Sequence, residues 1–212
     1  MPGTDQILAG LTKIANHAFG LAIAWHVAVA AAVLALALGW RPSRRLAGAL
    51  LSAPAISVAA LAFAYGNPFN GTVFAALAAT LALTASRLGT DRVRAGTRWS
   101  VAAGAALVAV GWLYPHFLIE RASVAYLYAA PTGLVPCSTL SLMIGWTVIA
   151  GGLQSRAWSL MLATAGLFYG VFGAARLGVT IDVVLVAGAL LLVPVALLPH
   201  QRRARRALAR ER

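Results

Sequence analysis

Residues 16–40 read NHAFGLAIAWHVAVAAAVLALALGW, and residues 41–45 continue as RPSRR. The first segment holds 25 residues without a single Asp, Glu, Lys or Arg, whereas about 20 apolar residues suffice for a helix to cross the hydrocarbon layer. The second segment ends the apolar run with three arginines and a proline. Because the apolar run is longer than a signal-peptide core and follows no basic leader, we predict a retained transmembrane helix.

The composition of the whole chain points the same way. Of its 212 residues, 61% are hydrophobic and 10% are charged, whereas a soluble domain has about 25% charged residues. The same hydrophobicity excludes a disordered chain. A single cysteine, Cys137, excludes an intrachain disulfide and a multi-cysteine metal cage. The composition therefore predicts an integral membrane protein.

Seven apolar segments are long enough to cross the bilayer, and polar or proline-containing linkers separate them. They cover about residues 16–40, 46–65, 71–88, 99–118, 134–153, 157–174 and 179–198. We predict an all-α polytopic membrane protein, with one domain of seven transmembrane helices in residues 1–200 and a basic cytoplasmic tail in residues 201–212. Three spans on each side of the fourth allow a 3+1+3 arrangement of parallel repeats.

The arginines predict the orientation. If the N-terminus lies outside, 14 of the 17 basic residues fall on the inner side and three on the outer side. The three outer ones are Lys13, Arg121 and Arg176. Because cytoplasmic loops collect Lys and Arg, we predict an outer N-terminus and a cytoplasmic C-terminus.

The net charge of +12 indicates the partners. The tail is either a stop-transfer segment that sets the topology or an anchor on anionic lipids. Nucleic acid is not expected, because no aromatic residue lies between the tail arginines to stack on bases. We expect the lipid bilayer as the main partner, in a cell membrane such as a bacterial inner membrane. A homo-oligomer and a larger membrane complex both stay open.

Polar residues of the spans concentrate in the predicted outer half, so a pocket would open outward. This predicts a protein that binds or transports a small solute through an outward-facing polar vestibule, or an accessory subunit of a membrane complex. The candidate substrate-binding residues are His26, Asn67, Tyr114, His116, Cys137, Thr139 and Asp182.

The histidines leave further alternatives. His17 and His116 share a depth near the outer ends of their spans, so this pair, with Glu120 or Asp182, can bind a divalent metal or relay protons. Their spacing matches no metal signature, and interfacial residues bonded to neighbours would look the same. The alternative function is a membrane-embedded enzyme or redox protein that uses these histidines and Cys137. No cofactor is assigned.

Residues 126–139 read YLYAAPTGLVPCST and lead directly into the fifth span. Two prolines and a glycine predict a non-helical start, with Pro136 in the first helical turn. A helix beginning at this depth turns its free N–H groups outward, which suits an anion. The alternative is a re-entrant turn with no ligand.

The run Pro136-Cys137-Ser138-Thr139, with residues 140–146 after it, is similar to a Pro-x-Pro-Thr signature in a family of uncharacterised bacterial multi-pass membrane proteins. The helix at residues 25–38 and the seven-span plan are similar too. Ser138 stands where that family has its second proline. The resemblance implies a membrane fold and no mechanism.

Overall fold

The computed structural model describes residues 3–119 and 121–208, with the backbone alone for residues 198–208. In this part of the chain the fold is all-helical, with 79% helix and no strand. The all-α prediction is thus confirmed. The α-helices are α1 (Thr4–His17), α2 (Phe19–Ala37), α3 (Arg44–Ala64), α4 (Pro68–Ser86), α5 (Arg98–Leu113), α6 (Tyr126–Ala129), α7 (Pro136–Ile149), α8 (Arg156–Val171) and α9 (Val183–Leu208).

Five helical segments of the described chain are long and apolar enough to cross a membrane. They are Phe19–Ala37, Arg44–Ala64, Pro68–Ser86, Arg156–Arg176 and Thr180–Leu197. Two further apolar helices, α5 and α7, are shorter, with 16 and 14 residues. Each of the seven predicted segments overlaps one of these helices. The helices are compatible with a membrane protein.

Helix α1 is an element that the sequence analysis did not predict. Helix α1 ends at His17 and helix α2 begins at Phe19, with Ala18 between them. The first apolar run and the residues before it therefore do not form one continuous helix. Leu11 and Ile14 lie one helical turn apart and are buried against Ala129 and Leu134, while Lys13 on another face is exposed. This alternation is typical of an amphipathic helix that packs on the surface of a bundle.

Polar side chains mark where four of the helices begin. The side-chain oxygens of Ser43, Asn67, Thr97 and Ser155 accept hydrogen bonds from backbone N–H groups three residues later, at 3.1–3.4 Å. Each bond satisfies a donor that the first helical turn leaves free. The linkers therefore fix the helix starts, in agreement with the predicted separators.

Helix α7 lies at the centre and packs on α5, α8 and α9. Glycines allow its closest contact, with α5. A Cβ atom added to Gly104 would lie 2.6 Å from the carbonyl oxygen of Gly145, and one added to Gly145 would lie 2.7 Å from that of Gly104. On α8, a Cβ atom added to Gly170 would lie 2.9 Å from the Val186 backbone nitrogen of α9, and one added to Gly166 would lie 2.5 Å from the Ile144 side chain of α7. Both glycines thus allow close helix contacts, as the small-residue spacing predicts.

Helix α2 follows the bundle only along its first half. Its buried residues are Ala22, His26 and Val29, and the helix has no buried residue beyond Val29. The indole of Trp25 donates a hydrogen bond to Ser57 Oγ at 3.1 Å and packs on Gly133. The second half of α2 leaves a groove between itself, α3 and α7.

Candidate functional site

The segment from Ala130 to Val135 is non-helical and wholly buried. It turns at Gly133, whose φ of 78° favours glycine. Side chains of α7 form hydrogen bonds with its backbone. Ser138 Oγ donates one to the Pro131 carbonyl oxygen at 3.0 Å, and the Gly133 N–H donates one to Thr139 Oγ1 at 2.9 Å. Thr132 Oγ1 donates to the Gly111 carbonyl. Thr139, a predicted binding residue, thus joins the first turn of α7 to the segment before it by a hydrogen bond.

A buried polar cluster lies where the ends of α5, α7 and α9 meet. The hydroxyl of Tyr114, directly after α5, donates a hydrogen bond of 2.7 Å to Asp182 Oδ1, directly before α9. Both residues are only 2% exposed. The thiol of Cys137, in the first turn of α7, lies beside both side chains. We call Tyr114, Cys137 and Asp182 the carboxylate cluster.

The absence of a side chain at Gly173 leaves room for the carboxylate of Asp182. A Cβ atom at Gly173 would overlap the carboxylate, with the Asp182 Cγ only 2.8 Å away. Gly173 lies in the π-helical turn Phe172–Arg176, which follows α8. Turns of this kind are frequent at functional sites. The π turn and the glycine together let α8 end against a buried acid.

A second buried polar pair continues the cluster toward α4. Tyr169 donates a hydrogen bond of 3.0 Å to Asn70 Oδ1, and its ring packs edge-on against Phe74 at 5.4 Å between centroids. Cys137 packs on the same core as Tyr169. The polar residues thus extend through the core from Tyr114 to Asn70.

The start of α7 carries the partial positive charge of its helix dipole. Sequence analysis predicts an anion at this point. Asp182 is an acidic group of the chain itself, and it lies beside Cys137 in the first turn. A buried non-helical turn thus starts a helix whose N-terminus lies beside an acidic side chain of the same chain.

His116 links the carboxylate cluster to the surface. It is half-buried, and its ring packs edge-on against Tyr114 with centroids 5.9 Å apart. Its Nδ1 lies 2.8 Å from the Pro115 carbonyl oxygen. Of the seven predicted binding residues, the structure brings together Tyr114, His116, Cys137 and Asp182.

The other predicted residues lie elsewhere. His26 joins α2 to α5, since its ring nitrogens lie 2.9 Å from the Ala22 carbonyl oxygen and 3.0 Å from that of Trp112. Asn67 caps α4 through the N–H of Asn70. Both roles are structural bonds to the backbone, away from Asp182.

His17 is exposed and packs on Tyr65 at 5.9 Å between ring centroids. It lines a shallow surface pocket of about 710 Å³ with Lys13 and Arg121. In the described part of the chain, no group of three or more His, Cys, Asp or Glu side chains is arranged to hold a metal ion. The two-histidine metal site stays a prediction, and Glu120 lies outside the described residues.

Sequence reasoning missed Asn70, Tyr169 and Gly173 as parts of this site. Tyr169 sits between Gly166 and Gly170 in an otherwise apolar span, so a hydroxyl in the bilayer was the available signal. Asn70 follows the Asn67 cap by one turn, and this position made it look like a loop residue. Nothing in the spacing of Gly173 indicates that it faces an acid nine residues later.

Comparisons with protein-family models, with curated proteins and with solved structures find no match to this chain. The resemblance to the uncharacterised bacterial membrane family therefore stays a prediction.

Replacing Tyr114 with phenylalanine is expected to lower the free energy of unfolding by about 1–3 kcal/mol, because a buried carboxylate oxygen loses its hydroxyl donor. Thermal unfolding in mild detergent measures the change. Tyr128→Phe is the matched control, since the Tyr128 side chain is 46% exposed. Equal midpoints for the two variants would show that the Tyr114 bond contributes nothing.

Proposed function

We propose that this protein binds a small cationic solute at Asp182 and takes it up across a cell membrane, such as a bacterial inner membrane. In this proposal the seven apolar helices α2–α5 and α7–α9 cross the bilayer, with the N-terminus outside and the C-terminus in the cytoplasm. The solute enters from the outer side past His116. The polar vestibule of the sequence analysis is then the half-buried surface that leads to the carboxylate cluster.

The short helices α5 and α7 fit this topology. Their 16 and 14 residues cover about 24 and 21 Å of a hydrocarbon layer about 30 Å thick. The segments 114–119 and 130–135 continue them toward the predicted outer side. Non-helical backbone is tolerated at membrane depth where protein buries it and satisfies its polar groups. The bonded backbone of residues 130–135 meets that condition.

One observation carries the proposed function: a deeply buried carboxylate has a hydroxyl and a thiol as its close polar partners. Among the described residues, a salt bridge joins Arg44 to Asp91. No basic side chain of these residues forms one with Asp182. An ionised carboxylate in the apolar layer is costly unless a cation compensates it. Intramembrane acids therefore mark ion and solute sites, and a bound cation would supply the missing charge.

The size of the solute follows from the closed geometry of the cluster. In the described chain every buried side-chain nitrogen or oxygen has a hydrogen-bond partner. A solute at Asp182 would compete with the hydroxyl of Tyr114, which is bonded to the carboxylate. An ammonium group or a monovalent metal ion is of the right size to do this.

The enzyme alternative needs a different arrangement. A cysteine nucleophile requires a base such as histidine at the thiol. The polar neighbours of Cys137 in the cluster are Asp182 and Tyr114. His17 packs on Tyr65, and the ring of His116 packs on Tyr114 with its Nδ1 at the Pro115 carbonyl oxygen. Solute binding is therefore the function that this geometry supports best.

Binding is tested by thermal unfolding of the purified full chain with ammonium, methylammonium and monovalent metal chlorides, with acetamide as the neutral comparison. We expect at least one cation to raise the unfolding temperature, because a ligand stabilises the state it binds. Asp182→Asn should lose this response. Asp91→Asn, which changes the exposed acid paired with Arg44, should keep it. A response that survives in Asp182→Asn would refute the proposed site.

The proposed orientation is tested independently with reporters fused after Arg212. A green fluorescent protein should fluoresce there, because it folds in the cytoplasm, and an exported phosphatase should be inactive. The opposite result would put the basic tail outside, against the positive-inside rule. Attack by an added protease on a tag before Met1 of intact cells provides the matching outer-side measurement.

A further inference from the structure

We propose that the groove between α2, α3 and α7 binds one acyl chain of an anionic phospholipid, with its head group at Arg41. This site is separate from the carboxylate cluster, and it does not depend on the proposed transport function. The groove has a volume of about 520 Å³, which lies within the range of about 300–1,000 Å³ for small-molecule sites.

The lining of the groove selects an apolar occupant. Val29 and Leu36 of α2, Leu51 of α3, and Leu142 and Trp146 of α7 form much of its wall. Arg41 is the one charged side chain in the lining, and it lies at one end with Trp40 and Pro42. Such a surface matches a hydrocarbon chain attached to a polar head group.

The length of the groove suits one acyl chain. From Trp25 to Ala37 the groove follows α2 for about 18 Å, slightly more than half of a hydrocarbon layer about 30 Å thick. The groove is therefore about as long as one leaflet of the hydrocarbon layer is thick, which is the depth that an acyl chain occupies.

The charge at the open end selects an anionic head group. Arg92 and Arg94 flank the lining residue Val93 and are exposed. Asp91, the acidic residue next to Arg92, already forms a salt bridge with Arg44 at 3.4 Å. The excess positive charge favours phosphate in the leaflet on the arginine-rich side. A neutral isoprenoid lipid would gain nothing from it.

The test is an intact-complex mass measurement of the full chain after gentle detergent extraction, followed by delipidation and addition of defined phospholipids. Ala32 lines the groove, whereas its neighbour Ala31 is exposed outside it. Ala32→Trp should lose the bound phospholipid because the indole fills the groove, and Ala31→Trp should retain it. Leu50→Trp repeats the test from the α3 wall, with exposed Ile56→Trp as its control, so a folding failure on α2 leaves the proposal testable.

The head-group contact is tested separately. Arg41→Gln should reduce the preference for anionic over zwitterionic phospholipid by about fivefold, and Arg98→Gln, an exposed arginine that does not line the groove, should not. Bound lipid in both groove-filling variants would overturn the proposal. A free fatty acid, a neutral isoprenoid or a protein chain as the bound species would overturn it too.

Discussion

Replacing Gly145 with alanine is expected to lower the free energy of unfolding by about 1–3 kcal/mol, and replacing it with leucine should prevent assembly of the bundle. The added Cβ would lie 2.7 Å from the Gly104 carbonyl oxygen and 2.8 Å from the Val108 backbone nitrogen. These are backbone atoms of α5, so no flexible side chain can move aside. Helices α5 and α7 must separate instead, and the buried non-helical segment 130–135 before α7 moves with them.

Gly20→Ala is the matched control for this prediction. Gly20 is an exposed residue in α2, and nothing lies within 4 Å of an added Cβ. Alanine there should stabilise the helix by about 0.5–1 kcal/mol, because it loses less conformational freedom than glycine. Unfolding midpoints in detergent should therefore shift in opposite directions for the two variants. A stabilised Gly145→Ala protein would contradict the close contact between α5 and α7.

Gly173→Ala is expected to abolish cation binding and to destabilise the fold by about 1–3 kcal/mol. The new methyl group would occupy the space of the Asp182 carboxylate. Either the carboxylate leaves the hydroxyl of Tyr114, or the π turn Phe172–Arg176 shifts away from α9. In both cases the carboxylate cluster loses the geometry that the proposed site requires.

A double-mutant cycle separates this effect from a general loss of helix packing. In an Asp182→Ala background, Gly173→Ala should cost at least about 1 kcal/mol less, because the clashing carboxylate is gone. Gly10→Ala, for which an added Cβ meets nothing within 4 Å, should be nearly neutral in both backgrounds. Purely additive costs would show that Gly173 and Asp182 are not in contact.

Much of the fold could be predicted because its signals are local. The apolar runs and the separators marked by Ser43, Asn67, Thr97 and Ser155 locate seven of the helices to within a few residues. Helix α1 was missed because its apolar residues are few and spaced for one face, so they do not form a continuous run. The separation of α1 from α2 at Ala18 was invisible for the same reason.

The candidate site was predicted in part. Tyr114, His116, Cys137 and Asp182 were selected because polar groups are rare in apolar spans, and the structure brings these four together. His26, Asn67 and Thr139 met the same criterion, yet they bond the backbone of their own or neighbouring helices. Composition cannot separate these two uses of a buried polar group, since both satisfy a hydrogen bond in a place without water.

The sequence alone determined that the helices are apolar enough for a membrane and that the arginines gather on one side of the predicted topology, because hydropathy and charge act residue by residue. Tertiary packing decided which side chains meet. Helices α2, α4 and α7 are apolar on nearly every face, so no periodicity tells which side turns inward. Backbone contact between Gly104 and Gly145 sets the approach of α5 and α7, and the space at Gly173 then lets Asp182 reach Tyr114 across 68 residues of chain.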